Sequence, residues 1–487
     1  MKVINGCLYI ESKEDENIVP LLMGYRRARG SNLVRFEDNI VNRIVLGLQP
    51  LQLRPTPATQ WDGLEDYQNE DVVRMIQLGN VLNRNKMGAG KTVETVVALK
   101  AQELSDIVIV APKPTLLQWQ QQTEKWWPQR AGHIKVRSIG TDITILNYEM
   151  LRSTAVMGKL RNHRHDAVVF DEVHKIKNRN TQRTTAAKLI PAGVHIGLTG
   201  TPILRKPDDL WSELHAVDPL YSGSSYWAFT DYFCNVVRGE HGQEIEGVTQ
   251  DPNRLAILHK LRDLVTVYSE RGASTNKRVV DVFVEMTAPQ KTLYKKIKEL
   301  TFAELPENCT IPNGAVLATR LQQATSWPGL FEEANAGAKF EWIGEFCKDT
   351  DEQILILTKF ANTALALYSY LVNDSTSCTL YTGRQSSRLQ QENKERFLRK
   401  ECQVLIGTID AVGTGVDGLQ QVARLGIMME QDWSPEINEQ CEDRLNRRGQ
   451  TEQVIWYYLK CDKTFDKHVA TVNLKKADSI RACLEDE

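Results

Sequence analysis

The chain has 487 residues, with 60 Lys and Arg against 62 Asp and Glu, a formal net charge of −2, 41% hydrophobic and 25% charged residues. That balance excludes a protein that coats nucleic acid by bulk charge and an acidic disordered chain, and the composition is that of a globular protein with substantial cores. At roughly 150 residues per domain, about three folding units are expected.

No stretch reaches the ~18 consecutive apolar residues of a membrane span, and the segment from Met1 to Asn17 turns charged before a signal-peptide core develops. The expectation is no membrane partner and a cytoplasmic location. The nine cysteines are scattered, odd in number and without a C-x-x-C pair, so reduced thiols are expected rather than a disulfide framework or a structural zinc site. The histidines contain no H-E-x-x-H, which removes the support for zinc-dependent hydrolysis.

In chain order, residues 1–52 alternate short apolar and charged runs and read as a small accessory element, leading into the Pro-rich Leu51–Pro57. Four apolar runs follow, Ile107–Ala111, Ile143–Leu146, Ala167–Phe170 and His195–Leu198, each stopped by a polar or Gly/Pro cluster. Strands without polar alternation are buried on both faces, as in a parallel sheet covered by helices. From about residue 205 to 345 the pattern is mostly helical, and then come Ile354–Leu357, Val404–Ile406, Leu425–Met428 and Val454–Leu459. The fold class expected is α/β, two parallel-sheet lobes with a helical insert between them. The boundaries are 1–52 for the accessory element, 53–225 for lobe 1, 226–345 for the insert and 346–487 for lobe 2.

The sharpest local signal is Asn85-Lys86-Met87-Gly88-Ala89-Gly90-Lys91-Thr92, followed by a predicted helix at Val93–Leu99. A phosphate-binding loop needs small residues so that backbone N–H groups curl around phosphate oxygens, a Lys for the β/γ-phosphates and a hydroxyl for Mg²⁺. The first Gly of the strict pattern is replaced by Asn85, so a Gly-rich turn that merely starts a helix is the competing reading. Val168-Val169-Phe170-Asp171-Glu172 places two carboxylates at the C-terminal end of a buried strand, where ligands sit in open α/β sheets. Asp171 suits a Mg²⁺ holder and Glu172 a base for the attacking water, although strand exits often carry acids for no catalytic reason. In Gln440–Gln450, Arg444 and Arg447 are three apart and predicted to share one helix face, which suits two guanidinium groups aimed at a γ-phosphate or a solvated basic helix end.

Taken in order, these blocks resemble the Snf2 family of superfamily 2 helicase-like ATPases, from about Leu53 to Leu459. The family's D-E-M-G-L-G-K-T corresponds to Asn85–Thr92, its D-E-A-H-x-I-K-N to Asp171–Asn178, and its L-T-G-T-P to Leu198–Pro202. Ala111-Pro112-Lys113 with Gln118-Trp119, Asn147-Tyr148-Glu149, Asp432-Trp433-Ser434-Pro435 and Gln440–Gln450 match further blocks. The resemblance implies two RecA-like lobes, ATP and Mg²⁺ as cofactors, and hydrolysis that depends on DNA.

It also implies residue roles. Lys91, Asp171, Glu172, Arg444 and Arg447 would be catalytic, the arginines as fingers. Gln68, Met87, Gly88, Ala89, Gly90, Lys91, Thr92, Gly415 and Asp417 would bind nucleotide, Gln68 by reading adenine, while Thr92 and Asp171 would hold Mg²⁺. Thr199 and Thr201 would couple nucleotide state to the second lobe. Lys113, Tyr148 and Thr408 would contact the nucleic-acid backbone.

Departures from the family pattern are Asn85-Lys86 in place of an acidic pair, the Gly413-Thr414-Gly415-Val416-Asp417 ending, closer to general superfamily 2 helicases, and Arg271–Met286, which lacks the usual Leu-Pro brace. The length resembles compact bacterial or bacteriophage members. A basic run, Lys159, Arg161, Arg164, Lys175, Lys177, Arg179, Arg183 and Lys188, reads either as a duplex-facing surface or as a solvated face. The function expected is an ATP-driven translocase, a monomer on double-stranded DNA without sequence preference, which remodels DNA or protein–DNA complexes. A strand-separating DNA or RNA helicase and a catalytically silent DNA-binding scaffold are the alternatives.

Overall fold

The structure is a computed structural model that describes residues 2–4, 7–11, 18–27, 33–56, 60–86, 88–140, 142–200, 208–239, 242–269, 276–303, 312–331, 336–413, 416–447 and 449–484. The chain forms two compact units, 1–272 with 477–487, and 273–476.

The first unit begins with a small antiparallel sheet of β1 (Lys2–Ile4), β2 (Cys7–Glu11), β3 (Arg26–Arg27) and β4 (Leu33–Glu37), in the order β1-β2-β4-β3. Period-two alternation turns Leu8, Ile10, Val34 and Phe36 to one face, where they close a core with Val19 and Leu22. Asn39 then caps α1 (Ile40–Val45) by accepting from the Asn42 amide at 2.9 Å.

The main sheet of this unit consists of β5 (Val81–Asn83), β6 (Ile107–Ala111), β7 (Ile134–Val136), β8 (Ile143–Asn147), β9 (His165–Asp171), β10 (Ala192–Leu198) and β13 (Thr266–Val267). A separate hairpin, β11 (Cys234–Gly239) with β12 (Gly242–Val248), precedes β13. The order is β13-β5-β10-β9-β6-β8-β7, with every pairing parallel. Both faces are buried: Val108, Val110, Val168 and Phe170 point into one core, while Ile107, Ile109, Ala167 and Val169 point into another. Removing such side chains from water stabilises the sheet by about 1.5–3 kcal/mol each, which is why the runs are continuously apolar. The helices that matter below are α2 (Asp66–Leu78), α3 (Lys91–Ala101), α4 (Leu116–Trp126) and α5 (Thr154–Arg161).

The second unit repeats the logic with β14 (Lys277–Val284), β15 (Ile354–Thr358), β16 (Cys378–Tyr381), β17 (Val404–Thr408), β18 (Leu425–Met428) and β19 (Val454–Cys461). They form an all-parallel sheet in the order β14-β19-β18-β15-β17-β16. Ile354 and Ile356 face one core, Leu355 and Leu357 the other.

All eight apolar runs are strands, and the expected α/β architecture of two parallel sheets is present. The stretch read as mostly helical also contains β11, β12, β13 and β14. Their signal is weak in the sequence because β13 is two residues long and β14 is an edge strand whose Val279, Asp281 and Phe283 face outward. Among the described residues no helix is long and apolar enough to cross a membrane.

Candidate active site

β5 delivers the chain to the phosphate-type loop, and α3 starts at Lys91, so that the backbone N–H groups of its first turn face back into that loop. Gly88 and Gly90 have φ of 82° and 103°, left-handed values that an L side chain rarely adopts. A Cβ at Gly90 would stand 2.2 Å from Gln68 Nε2. That amide cannot step aside cheaply, because Gln68 Nε2 donates to the Ala89 carbonyl at 2.9 Å and Gln68 Oε1 accepts from the Glu65 N–H at 3.1 Å, closing the capping box of α2. The Tyr67 hydroxyl donates to the same Ala89 carbonyl at 2.8 Å. Gln68 is thus tied to the loop that would receive the phosphates. Lys91 Nζ donates to the carbonyls of Asn85 at 2.6 Å and Lys86 at 3.2 Å, while Thr92 sits half-buried beside it in the first turn of α3. Met87 lies outside the described residues.

Asn85, one of the departures from the family pattern, has a physical explanation here. It is fully buried between two buried carboxylates, and its Nδ2 donates to Asp71 Oδ2 at 2.7 Å and to Glu94 Oε2 at 3.1 Å. Its Oδ1 accepts from the Ser269 N–H at 2.7 Å, and Asn83 Nδ2 gives Glu94 Oε2 a second bond at 2.7 Å. An aspartate at this position would add a third negative charge to the cluster and remove the donor that joins the other two.

Burial, with the neighbouring carboxylate adding to it, pushes Glu94 up to about 7, and burial pushes Asp71 up to about 6. Between about pH 4 and 7 the folded unit therefore holds more protons than the unfolded chain, and its stability falls as pH rises through that window. Each proton of difference is worth about 1.4 kcal/mol per pH unit. Glu94→Gln is expected to flatten this dependence and to gain on the wild type above pH 7. Urea unfolding midpoints from pH 5 to 8 for both proteins check it, and equal slopes would refute the assignment.

The acidic pair ends β9. Asp171 Oδ2 accepts from the Trp119 indole N–H at 2.8 Å, with Thr115 Oγ1 at 3.4 Å, so the start of α4 and the turn before it orient this carboxylate. Burial first, then the Glu172 charge, raise Asp171 well above the usual carboxylate range, against the pull of Trp119 and Lys91. Because Lys91 contributes to that balance, the loop cation and the strand-end carboxylate act on each other within one lobe.

Glu172 sits at φ 51° and ψ 57°, left-handed for a residue with a side chain, the kind of strain that concentrates at functional sites. Its Oε2 is buried and accepts no hydrogen bond; His174 Nδ1 lies 3.3 Å away without the alignment of one. Burial and nearby lysines hold His174 well below its usual value, so it offers Glu172 no counter-charge. His174 Nδ1 also approaches Thr199 Oγ1 at 3.4 Å, and the Thr199 N–H donates to the Asn83 carbonyl at 3.0 Å. The acidic motif, Thr199 and the strand before the loop are thereby linked through His174. An orphaned carboxylate oxygen, a second carboxylate held by an indole, and a lysine at a helix N-terminus make a donor set that fits a magnesium nucleotide, with Thr92 and Asp171 as the residues that would hold the ion.

In the second unit the two arginines are not on one helix face, correcting the spacing argument. The helix Pro435–Glu442 ends before them, and Arg444 and Arg447 lie in the tight turns beyond it. Arg444 is buried and donates to the carbonyls of Gly413 and Val416. Arg447 pairs with Asp417 at 3.0 Å and donates to the Asp443 carbonyl at 3.0 Å. Asp417 is held below its usual value although burial works against it, because Arg447 faces it and the Gly418 N–H donates to it. Gly415 lies outside the described residues, as does Thr201.

The residues expected at nucleic acid divide. Lys113 is exposed just after β6. Tyr148 is buried, and its hydroxyl donates to the Asp171 carbonyl at 2.8 Å, so its ring braces the acidic motif rather than presenting itself to a ligand. Thr408 ends β17, nearly buried. The basic run is not one surface: Lys159, Arg161 and Arg164 precede β9 and Lys175, Lys177, Arg179 and Arg183 follow it, at opposite ends of a strand about 20 Å long, with Lys188 on the return to β10. Lys177 is paired with Asp209 at 3.1 Å, Arg179 stacks on Tyr226 and Trp227, and Lys188 lies over Trp211, with burial pulling it down to about 8.

Sequence reasoning assigned no role to Trp119, His174, Asp71, Glu94 or Glu213. Trp119 and His174 stand inside recognisable blocks, so a signal existed for them. Glu213 gave none: it is fully buried on the helix Asp209–Val217, neither of its oxygens accepts a hydrogen bond, and burial followed by the Asp209 charge raises it well above the carboxylate range.

Residues 67–323 match the SNF2-related domain and residues 338–449 the helicase conserved C-terminal domain. The chain is 26% identical over 453 residues to an uncharacterized ATP-dependent helicase of Mycoplasma pneumoniae, covering 87% of this chain and 42% of that protein. It is 25% identical over 410 residues to the human DNA annealing helicase and endonuclease ZRANB3, covering 80% of this chain and 37% of that one. It spans less than half the length of these relatives. Among solved structures it is similar to the Sulfolobus solfataricus SWI2/SNF2 ATPase core in complex with dsDNA, at 21% identity and a TM-score of 0.41, over 90% of this chain and 99% of that one.

Proposed function

Because this chain belongs to the SNF2-related family, we propose that it hydrolyses ATP in its first unit and uses the cycle to move along double-stranded DNA, remodelling DNA or the proteins on it. The observation that carries the hydrolytic part is the convergence of Lys91, Asp171 and Glu172 at the C-terminal edge of one parallel sheet, where such sheets bind ligands.

The loop amides and Lys91 bind and orient the phosphates. Glu172, strained and without a hydrogen bond at Oε2, aligns the attacking water and takes its proton. Thr92 and Asp171 hold Mg²⁺, which when bound supplies neutralisation of the phosphate charge. Gln68 reports adenine occupancy to the loop through its bond to Ala89. In the second unit Arg447, held by a surface carboxylate that a phosphate can replace, takes the finger role, while Arg444 braces the turn at Gly413 and Val416. Lys113 serves backbone contacts that position without reading sequence. A silent scaffold is disfavoured by the intact Lys91, Asp171 and Glu172.

The test is ATP turnover with no nucleic acid, blunt duplex, single-stranded DNA, forked DNA and RNA. Blunt duplex is expected to stimulate most, and the same rate in all five conditions would overturn the DNA-dependent reading. Strand separation, the alternative reading, would show instead as unwinding of the fork without displacement of a triplex strand from blunt duplex.

A further inference from the structure

At the edge of the first main sheet opposite the nucleotide loop, three side chains from separate positions converge. Asp106 immediately precedes β6, His163 lies in the turn after α5, and His165 opens β9, with their donor atoms all within 4.8 Å of one another. His163 Nε2 stands 2.7 Å from Asp106 Oδ2, and His165 Nδ1 stands 2.9 Å from Oδ1 and 3.0 Å from Oδ2.

The orientation of His165 is the telling feature. Its ring is buried, and its Nε2 lies 3.0 Å from the Leu160 carbonyl, which only accepts, so Nε2 must donate. In the neutral imidazole the other nitrogen, Nδ1, then carries a bare lone pair aimed at a carboxylate. Two acceptors at this distance require a positive centre between them, either a second proton or a metal ion.

A carbonyl on one imidazole nitrogen, with the other aimed at a shared point, is also how proteins orient metal-bound histidines. Asp106 is fixed just as firmly. Its N–H donates to Asp166 Oδ2 at 3.0 Å and its carbonyl accepts from the Asp166 N–H at 2.9 Å, while Ser105 adds two further bonds to the same carboxylate oxygen. His163 is half exposed, leaving one side open to water.

We propose that Asp106, His163 and His165 form a binding site for a divalent transition-metal ion of the zinc class, completed by solvent. Two imidazoles and one carboxylate suit Zn²⁺, Co²⁺ or Ni²⁺ and not Mg²⁺. Tetrahedral bonds of about 2.0–2.1 Å separate donor atoms by about 3.3 Å, so the two nitrogen–carboxylate distances, 2.7 and 2.9 Å, lengthen by a few tenths of an ångström on binding, a movement the exposed His163 permits. Bound there, the ion staples the turn after α5 to the start of β6. The length of β9, about 20 Å, keeps it away from the phosphate loop, so the site is structural and independent of ATP chemistry.

Zinc binding to the full nucleotide-free chain, followed by calorimetry and by the visible absorption of Co²⁺ in its place, tests this. Wild type is expected to bind one more equivalent than His163→Ala or Asp106→Asn, and only wild type should gain thermal stability from that equivalent. Loss of a ligand should weaken that site beyond about 100-fold, more than changes to outer partners cost. ATP turnover of His163→Ala should equal that of the wild type. Equal zinc stoichiometry and equal thermal shifts in wild type and His163→Ala would overturn the proposal and leave the cluster a set of hydrogen bonds alone.

Discussion

Lys91→Ala is expected to lower ATP turnover by about 10²–10³-fold, the scale on which a single preorganised charge at a reacting phosphoryl or oxyanion contributes. The fold should survive. Lys91 Nζ donates to two loop carbonyls, those of Asn85 and Lys86, and losing such bonds at a partly exposed site costs about 1 kcal/mol. The loop shape depends instead on Gly88, Gly90 and the bonds from Tyr67 and Gln68 to Ala89, which the substitution leaves alone. The two readouts should therefore separate, with turnover collapsing while the melting temperature hardly moves. Turnover retained in a well-folded Lys91→Ala protein would place hydrolysis elsewhere in the chain.

Lys339→Met is expected to destabilise the second unit by about 3–5 kcal/mol, the cost of breaking a buried ion pair from one side. Lys339 is fully buried on the helix Ala338–Lys348, with Nζ 2.8 Å from Asp466 Oδ2 and 2.6 Å from the Met429 carbonyl. Burial opposes its charge, but Asp466 and Glu430 outweigh that and hold it above the usual lysine value. Asp466 also accepts from the Cys461 N–H at 3.1 Å and from Thr325 Oγ1 at 2.9 Å, and Glu430 accepts from Thr358 Oγ1 at 2.8 Å. Removing the ammonium leaves two buried carboxylates without their cation. Adding Asp466→Asn to Lys339→Met should cost less than the sum of the two single changes, because the pair is lost once. Denaturant midpoints of the four proteins measure this, and strict additivity would show that the pair is not coupled.

The strands were legible because burial on both faces removes polar alternation. Ile107–Ala111 and Leu425–Met428 run in the structure as the apolar pattern placed them. β5 and β13 escaped notice, since three and two residues cannot carry a periodic signal. In the site, Lys91 and the Asp171-Glu172 pair were legible from chemistry tied to strand and helix ends. The burial of Tyr148, the turn that takes Arg444 and Arg447 off the helix, and the division of the basic run between two ends of β9 were not.

Local order along the chain was enough to establish the α/β class, the two parallel sheets and the loop that starts α3, because strand burial, glycine permissiveness and helix N-termini act over a few neighbouring residues. Which charges are satisfied was decided only by folding. Asn85 with Asp71, Lys339 with Asp466, and His165 with Asp106 join residues 14, 127 and 59 positions apart in sequence. Electrostatic partners are set by distance and desolvation in three dimensions, quantities that a linear pattern of residue types does not contain.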